Sequence, residues 1–145
     1  MMKKIIQKIK QIMNDILVMA IIFGAFSIFD YVIRSYYSDI EQEAIKNIEA
    51  AIEQSQIKVN TQSKETRGNR TTRIYELEAL PSYEKNKAHQ LLDNLTARGY
   101  HGEYPDQISG EEWRYSLCRY GEHLILYSYH HNFSLTWEYP SGLCE

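Results

Sequence analysis

Residues 16–29 read ILVMAIIFGAFSIF, a run without a single charged side chain. Fourteen such residues in succession must either enter a lipid bilayer or be wrapped by the rest of a small chain. Widening the window to residues 12–33 gives twenty-two positions, interrupted only by Asn14, Asp15, Ser27 and Asp30. A helix needs about 20 residues to cross the hydrocarbon core, so the wider run is long enough. Asp15 and Asp30 then act as membrane carboxylates near its two ends. There they can reach the headgroups, whereas a carboxylate at the centre costs about 2.5–3.5 kcal/mol. A single-pass transmembrane helix is the expectation.

A cleaved signal peptide has a similar pattern: a basic start, an apolar core, and small residues at Ala25-Phe26-Ser27 placed like a cleavage site. Two features favour retention. The apolar character resumes at once with Ile28, Phe29, Tyr31, Val32 and Ile33, and the basic lead-in is long and carries Asp15. The third option, a core helix of a soluble protein, does not account for the lysines that precede the run.

Those lysines set the orientation. Lys3, Lys4, Lys8 and Lys10 lie before the span, whereas Arg34 is the only nearby base after it, followed by Asp39, Glu41 and Glu43. The positive-inside bias puts the N-terminus in the cytoplasm, the helix in the inner (plasma) membrane, and the remainder in the periplasm or outside the cell. In the lead-in, Met2, Ile5, Ile6, Ile9, Ile12 and Met13 share one helical face, with lysine and glutamine opposite. Such a segment would lie along anionic membrane lipid before the chain dives. The N-terminal helices also offer a surface for homo-oligomers.

About 110 residues remain beyond the span, enough for one small domain. The net charge of −3 combines a basic N-terminus with an acidic remainder, which argues against nucleic acid as a partner. Both cysteines, Cys118 and Cys144, fall on the exported side, where a disulfide is expected between them. Closing that loop would contribute about 3 kcal/mol.

The chain divides by pattern into three parts: residues 1–34, the lead-in and span; residues 35–56, an amphipathic helix; and residues 57–145, an extracytoplasmic domain. In the helix, Tyr37, Ile40, Ala44, Ile48 and Ala51 form a stripe widened by Ile45 and Ile52, with Glu41, Glu43, Lys46, Glu49 and Glu53 facing away. No glycine or proline separates it from the span, so one continuous helix is expected. Residues 57–72 are the most polar stretch and contain Gly68-Asn69, which predicts a flexible hairpin loop or linker. Residues 73–80 alternate as a half-buried strand, with Tyr75, Leu77 and Ala79 inward, and Pro81 ends it. Ser82 is placed to cap a helix running to Arg98 with Ala88, Leu91, Leu92 and Leu95 inside, and Gly99 to terminate it.

After a loop over residues 100–110, the rest reads as a meander. Trp113, Tyr115 and Leu117 alternate with polar residues, Tyr120-Gly121-Glu122 turns, and residues 123–129 are apolar on both faces. His130-His131-Asn132 turns again, and Phe133, Leu135, Trp137 and Tyr139 alternate to the end. Helix, strand, helix, then strands predicts an α+β fold: a small antiparallel sheet with a packed helix.

Candidates for chemistry are few. His123, His130, His131 and Cys118 lie close in sequence, but neighbours on a strand point to opposite faces, and no CxxC, HxxxH or HExxH spacing occurs. Turn and surface histidines are the expected reading, with no metal or other cofactor. Ser116 and Ser128 lack a GxSxG setting, Glu111-Glu112 has no evident partner, and no glycine-rich phosphate loop is present. A group made of Glu122, His123 and Cys118 is the one catalytic arrangement the sequence suggests, and nothing in the spacing brings it together. Asn69-Arg70-Thr71, Asn94-Leu95-Thr96 and Asn132-Phe133-Ser134 match the glycosylation sequon, which has meaning only in a eukaryotic secretory pathway. Twelve tyrosines and two tryptophans are an enrichment. Tyr115, Tyr127, Tyr129 and Tyr139 are candidates for an aromatic binding surface, although strand aromatics equally fill small cores.

The apolar N-terminal helix, the antiparallel sheet and the C-terminal disulfide loop together resemble the layout of type IV pilins and pseudopilins. Asp15 followed by Ile16, Leu17, Val18 and Met19 is similar to their acidic residue and apolar run. Lys10 stands where their processing site has glycine, and Gln11 replaces the usual aromatic. The same Asp15 resembles the membrane carboxylate of proton-driven stator subunits of the ExbD and TolR kind. The uninterrupted amphipathic helix above the membrane, the aromatic strands and the missing catalytic set make the leading expectation a non-enzymatic membrane protein whose outer domain binds another envelope protein, as a subunit or accessory factor of a membrane complex. The alternative is a membrane-anchored immunity protein or inhibitor of an extracytoplasmic toxin or enzyme, for which the surplus acid outside the membrane would meet a basic target.

Overall fold

The computed structural model describes residues 2–79, 85–102, 112–129 and 132–144, with side chains described from Ile6 onward and, in the second helix, from Asn86. The order is α1 (Met2–Gln54), β1 (Val59–Arg67), β2 (Arg70–Leu77), α2 (Lys85–Thr96), β3 (Trp113–Arg119), β4 (Glu122–Tyr129) and β5 (Asn132–Tyr139). The fold is α+β, as the patterning predicts. Two compact units divide within α1, at Met1–Gln42 and Glu43–Glu145.

In the first unit α1 is unbroken from Met2. The basic lead-in and the apolar run form one continuous helix, with Gly24 tolerated within it. From Ile6 through Phe29 the large apolar side chains stand exposed, Phe23 and Phe26 at 65% and 68%. A core helix would hide them. This stretch is long and apolar enough to cross a membrane, as an anchor or as a signal sequence. Its one hydroxyl, on Ser27, donates to the Phe23 carbonyl at 2.9 Å, so it carries no unmet polar group into an apolar medium. Asp30 is paired with Arg34 one turn on, at 2.9 Å.

In the second unit the end of α1 turns its stripe inward: Ala44, Ile48, Ala51 and Ile52 are buried and Ile45 is half-buried. The helix closes at Gln56, whose φ of 55° lets Ile57 N–H reach the Ile52 carbonyl at 3.3 Å and Gln56 N–H reach that of Glu53 at 2.9 Å. In α2 the predicted face of Ala88, Leu91, Leu92 and Leu95 is buried. Gly99, at φ 88°, caps it in the same way, with Tyr100 N–H bonded to the Leu95 carbonyl at 3.2 Å. The two helices meet where Asn94 Nδ2 donates to Ser55 Oγ at 2.9 Å. Pro81, the Ser82 cap, the loop over residues 103–110 and the His130-His131 turn lie outside the described residues.

The five strands form one antiparallel sheet in the order β1-β2-β5-β4-β3, so α2 carries the chain from one side of the sheet to its other edge. The polar stretch over residues 57–72 is not a flexible loop. It forms β1 and the start of β2, joined by Gly68 and Asn69. Every residue of β1 is exposed, which explains the error. An edge strand that buries neither face has no apolar alternation to reveal it, and charge along such an edge discourages pairing with other chains. Gly68 has φ 62°, as the first central residue of a two-residue type II′ turn requires. Tyr120 and Gly121, both at positive φ, make the β3–β4 turn instead.

Register separates two faces. On the inner face lie Tyr75 and Leu77 of β2, Phe133, Leu135 and Trp137 of β5, Leu124 and Leu126 of β4, and Tyr115 and Leu117 of β3, all buried. The other face, here the open face, carries Ile74, Thr136, Ile125, Tyr127, Ser116 and His123.

Candidate functional site

Two polar constellations stand on opposite faces of the β3–β4 hairpin. The inner one centres on Glu122, only 2% exposed. Its Oε2 accepts from Tyr100 Oη at 2.5 Å and from Trp137 Nε1 at 2.9 Å, and its Oε1 from Arg119 Nε at 3.0 Å. Arg119 also pairs with Glu43 of α1 at 2.5 Å, donates to the Arg98 carbonyl at 3.1 Å, and lies 5.1 Å from the Tyr100 ring centroid. Burial alone would lower the Arg119 pKa, but Glu122 with Tyr100 and Glu43 raises it above its ordinary value. Burial, then the Glu122 hydrogen bond and charge, push the Tyr100 phenol far up, so it remains protonated. Every partner is already engaged. This network ties α1, the end of α2, the hairpin and β5 together, and leaves no vacant acid or base.

The open face is different. His123 on β4 is 2% exposed although it points away from the inner core. Its Nε2 is 2.5 Å from Ser116 Oγ on β3, and its Nδ1 faces Glu138 Oε2 on β5 at 4.0 Å. Nδ1 is buried and has no hydrogen bond. Burial lowers the His123 pKa, Glu138 offsets part of this, and Arg114 on the same face of β3 adds to it, which keeps the ring neutral near pH 7. Ser116 is exposed. Glu138 is held from its other side by Arg70 at 2.7 Å.

Cys118 lies directly across from His123 and is joined to Cys144, 26 residues on, with Cα atoms 5.3 Å apart. The expected disulfide is therefore present, and it fastens the C-terminal tail beside the imidazole. The tail is further held by Ser141 N–H on the Gly121 carbonyl at 2.8 Å. On the outer side of β3, His101 forms a bridge to Cys118, and Gly102 packs so closely that a Cβ there would lie 2.1 Å from the Ser116 carbonyl oxygen.

The four candidate tyrosines do not form one surface. Tyr127 and Tyr129 stand on the open face with rings 6.3 Å apart and nearly parallel at 7°. Tyr115 and Tyr139 have the opposite parity: Tyr115 is buried at 6% and stacks on Trp113, and Tyr139 stacks on Trp137. The side-chain period of two on a strand decides this, since the pairs belong to different faces. Glu122, His123 and Cys118 are likewise divided, Glu122 inward and the other two outward.

No family model, curated protein or solved structure matches the chain. Function must therefore be read from the residues themselves. Among the described residues, no group of three or more His, Cys, Asp or Glu could hold a metal ion. The grouping that sequence reasoning missed is Ser116, His123 and Glu138, one from each of three strands. Its only sequence signal is parity: once the two hairpins are in register, these three share a face, but no local motif contains them.

Proposed function

We propose that this is a single-span membrane protein, retained by α1, which holds its sheet domain in the periplasm or outside the cell and binds another envelope protein through the open face. The observation that carries the reading is that Glu43 of α1 and the Arg98 carbonyl after α2 meet Arg119 on the inner face, while the opposite face presents Tyr127 and the half-exposed Tyr129 beside Ile125 and Ile74. Stacked tyrosines on a rigid strand give a partner large contact area at little entropic cost. The lysine asymmetry across the span supports the orientation. A disulfide-stapled domain supports an oxidising compartment.

Photocrosslinking in intact cells tests it. A crosslinking residue placed at Tyr129 or Thr136, on the open face, should capture one defined envelope protein at native expression. The same residue at Gln90, on the exposed side of α2, should not. Equal capture from both faces, or none from either, would refute the docking reading. Labelling of an engineered cysteine at Thr61 by an impermeant maleimide from the cytoplasmic side would refute the orientation.

A further inference from the structure

We propose that Ser116 is a nucleophile for carboxylic esters, with His123 as its general base and Glu138 as the carboxylate that orients the imidazole. The observations are geometric. A hydroxyl exposed to solvent sits 2.5 Å from the Nε2 of a buried histidine, and a carboxylate faces the other ring nitrogen at 4.0 Å. This order of nucleophile, base and orienter is the arrangement acyl transfer uses on unrelated folds. A purely structural histidine would have both nitrogens satisfied, because an unpaired buried nitrogen costs about 1–3 kcal/mol. Here Nδ1 goes unpaired with Glu138 just beyond reach. Catalytic hydrogen bonds of this kind are often long before substrate arrives, and a shift of about 1 Å would close this one.

The remaining chemistry follows from the neutral ring. With the proton on Nδ1, toward Glu138, the Nε2 lone pair accepts the Ser116 proton as Oγ bonds to the ester carbonyl carbon. Arg114, two residues before Ser116 on the same face, places a positive charge at this site for the oxyanion. The bond to the leaving alcohol then breaks, and the alcohol departs with the proton from Nε2. Water repeats the sequence on the acyl-serine, giving up one proton through His123 to Ser116 Oγ and releasing the carboxylic acid. The net reaction is ester plus water to acid plus alcohol. Because Ser116 stands on a sheet surface and not in a cleft, the ester it serves is one presented on a larger molecule.

A fluorophosphonate probe tests this on the full chain in detergent. Attack by Ser116 Oγ forms an O–P bond and expels fluoride, with the proton taken by His123. One adduct is expected, on the peptide containing Ser116, together with slow hydrolysis of p-nitrophenyl acetate. Ser116→Ala should abolish both while the domain still folds, with a melting temperature lower by several degrees because the buried Nε2 of His123 loses its partner. Glu138→Gln should slow labelling by about tenfold, and His123→Gln by about a hundredfold or more. If His123→Gln does not fold, the pH profile stands in its place. Labelling must fall as the pH drops through the depressed His123 pKa, with Glu138, Arg114 and, behind Glu138, Arg70 as the charged groups around the ring. No adduct, an adduct that persists in Ser116→Ala, or a rate indifferent to pH and to Glu138→Gln would overturn the assignment. Capture of an envelope partner from Tyr129 is read separately, so either proposal can fail alone.

Discussion

Glu122→Gln should destabilise the domain by about 3 kcal/mol while changing almost no volume. The carboxylate takes three hydrogen bonds, from Tyr100 and Trp137 on Oε2 and from Arg119 on Oε1. An amide supplies one acceptor and one donor in the same space. If its NH2 takes the Oε1 position, it faces the Arg119 guanidinium. If it takes the Oε2 position, the indole N–H of Trp137 loses its acceptor. Arg119, with its side chain 10% exposed, then keeps only Glu43 and the Arg98 carbonyl. Removing one partner of a buried pair costs about 3–5 kcal/mol, and these remaining partners put the effect at the lower end. For a unit of this size that lowers Tm by roughly 12–24 °C. Thermal unfolding of the full chain in detergent, followed by tryptophan fluorescence, reads it. The cycle completed by Arg119→Met should show a coupling of about 1–3 kcal/mol, because Glu122 has less to lose once Arg119 is gone. A loss under about 1 kcal/mol, or strict additivity of the two changes, would show that the network is not what holds the helices to the sheet.

Cys144→Ser should cost about 3.5 kcal/mol by loop entropy over a 26-residue separation, measured as a Tm difference that disappears when both proteins are reduced. Gln56→Gly should stabilise the domain by roughly 0.5 kcal/mol in chemical denaturation, since relief of the left-handed conformation at φ 55° outweighs the added freedom of the unfolded chain. The pH dependence has two limbs. His123, depressed in the folded state, gives stability that is whole above its ordinary 6.5 and is lost as pH falls through the lower folded value. Tyr100 and Tyr115 are raised, so their contribution is whole below pH 10.0 and is lost as pH climbs above it; Tyr100→Phe should flatten that alkaline limb.

What the sequence revealed and what it hid have physical reasons. Apolar periodicity reports burial on one face, so the α1 stripe, the α2 face, and the alternating β3 and β5 could all be read. Gly99 could be read because a helix that ends in a left-handed residue favours glycine, whereas Gln56 does the same job unannounced. β1 escaped because neither of its faces is buried and its pairing is made by backbone groups that any residue supplies. The tyrosine quartet divides because the face a strand residue takes follows its parity and not its aromatic character. Ser116, His123 and Glu138 were invisible for a deeper reason: their proximity depends on β4 lying between β3 and β5, a fact of topology and not of spacing.

The two constellations are mechanically linked through the hairpin that separates them. Arg119 pairs with Glu122 on the inner face, and one step along the same ladder Cys118 pairs with His123 on the other. A slip of one residue between β3 and β4 would exchange these faces, driving His123 into the apolar core and Glu122 out to water. The apolar residues resist such a slip on the inner side, and so does the carboxylate, which finds Arg119, Tyr100 and Trp137 together in one register only. On the open side the disulfide fixes Cys118 to the tail in that same register. The distance from Ser116 to His123 is therefore held by groups other than the two residues themselves. A polar network with no chemistry of its own thus serves to hold the other network in the geometry its chemistry needs.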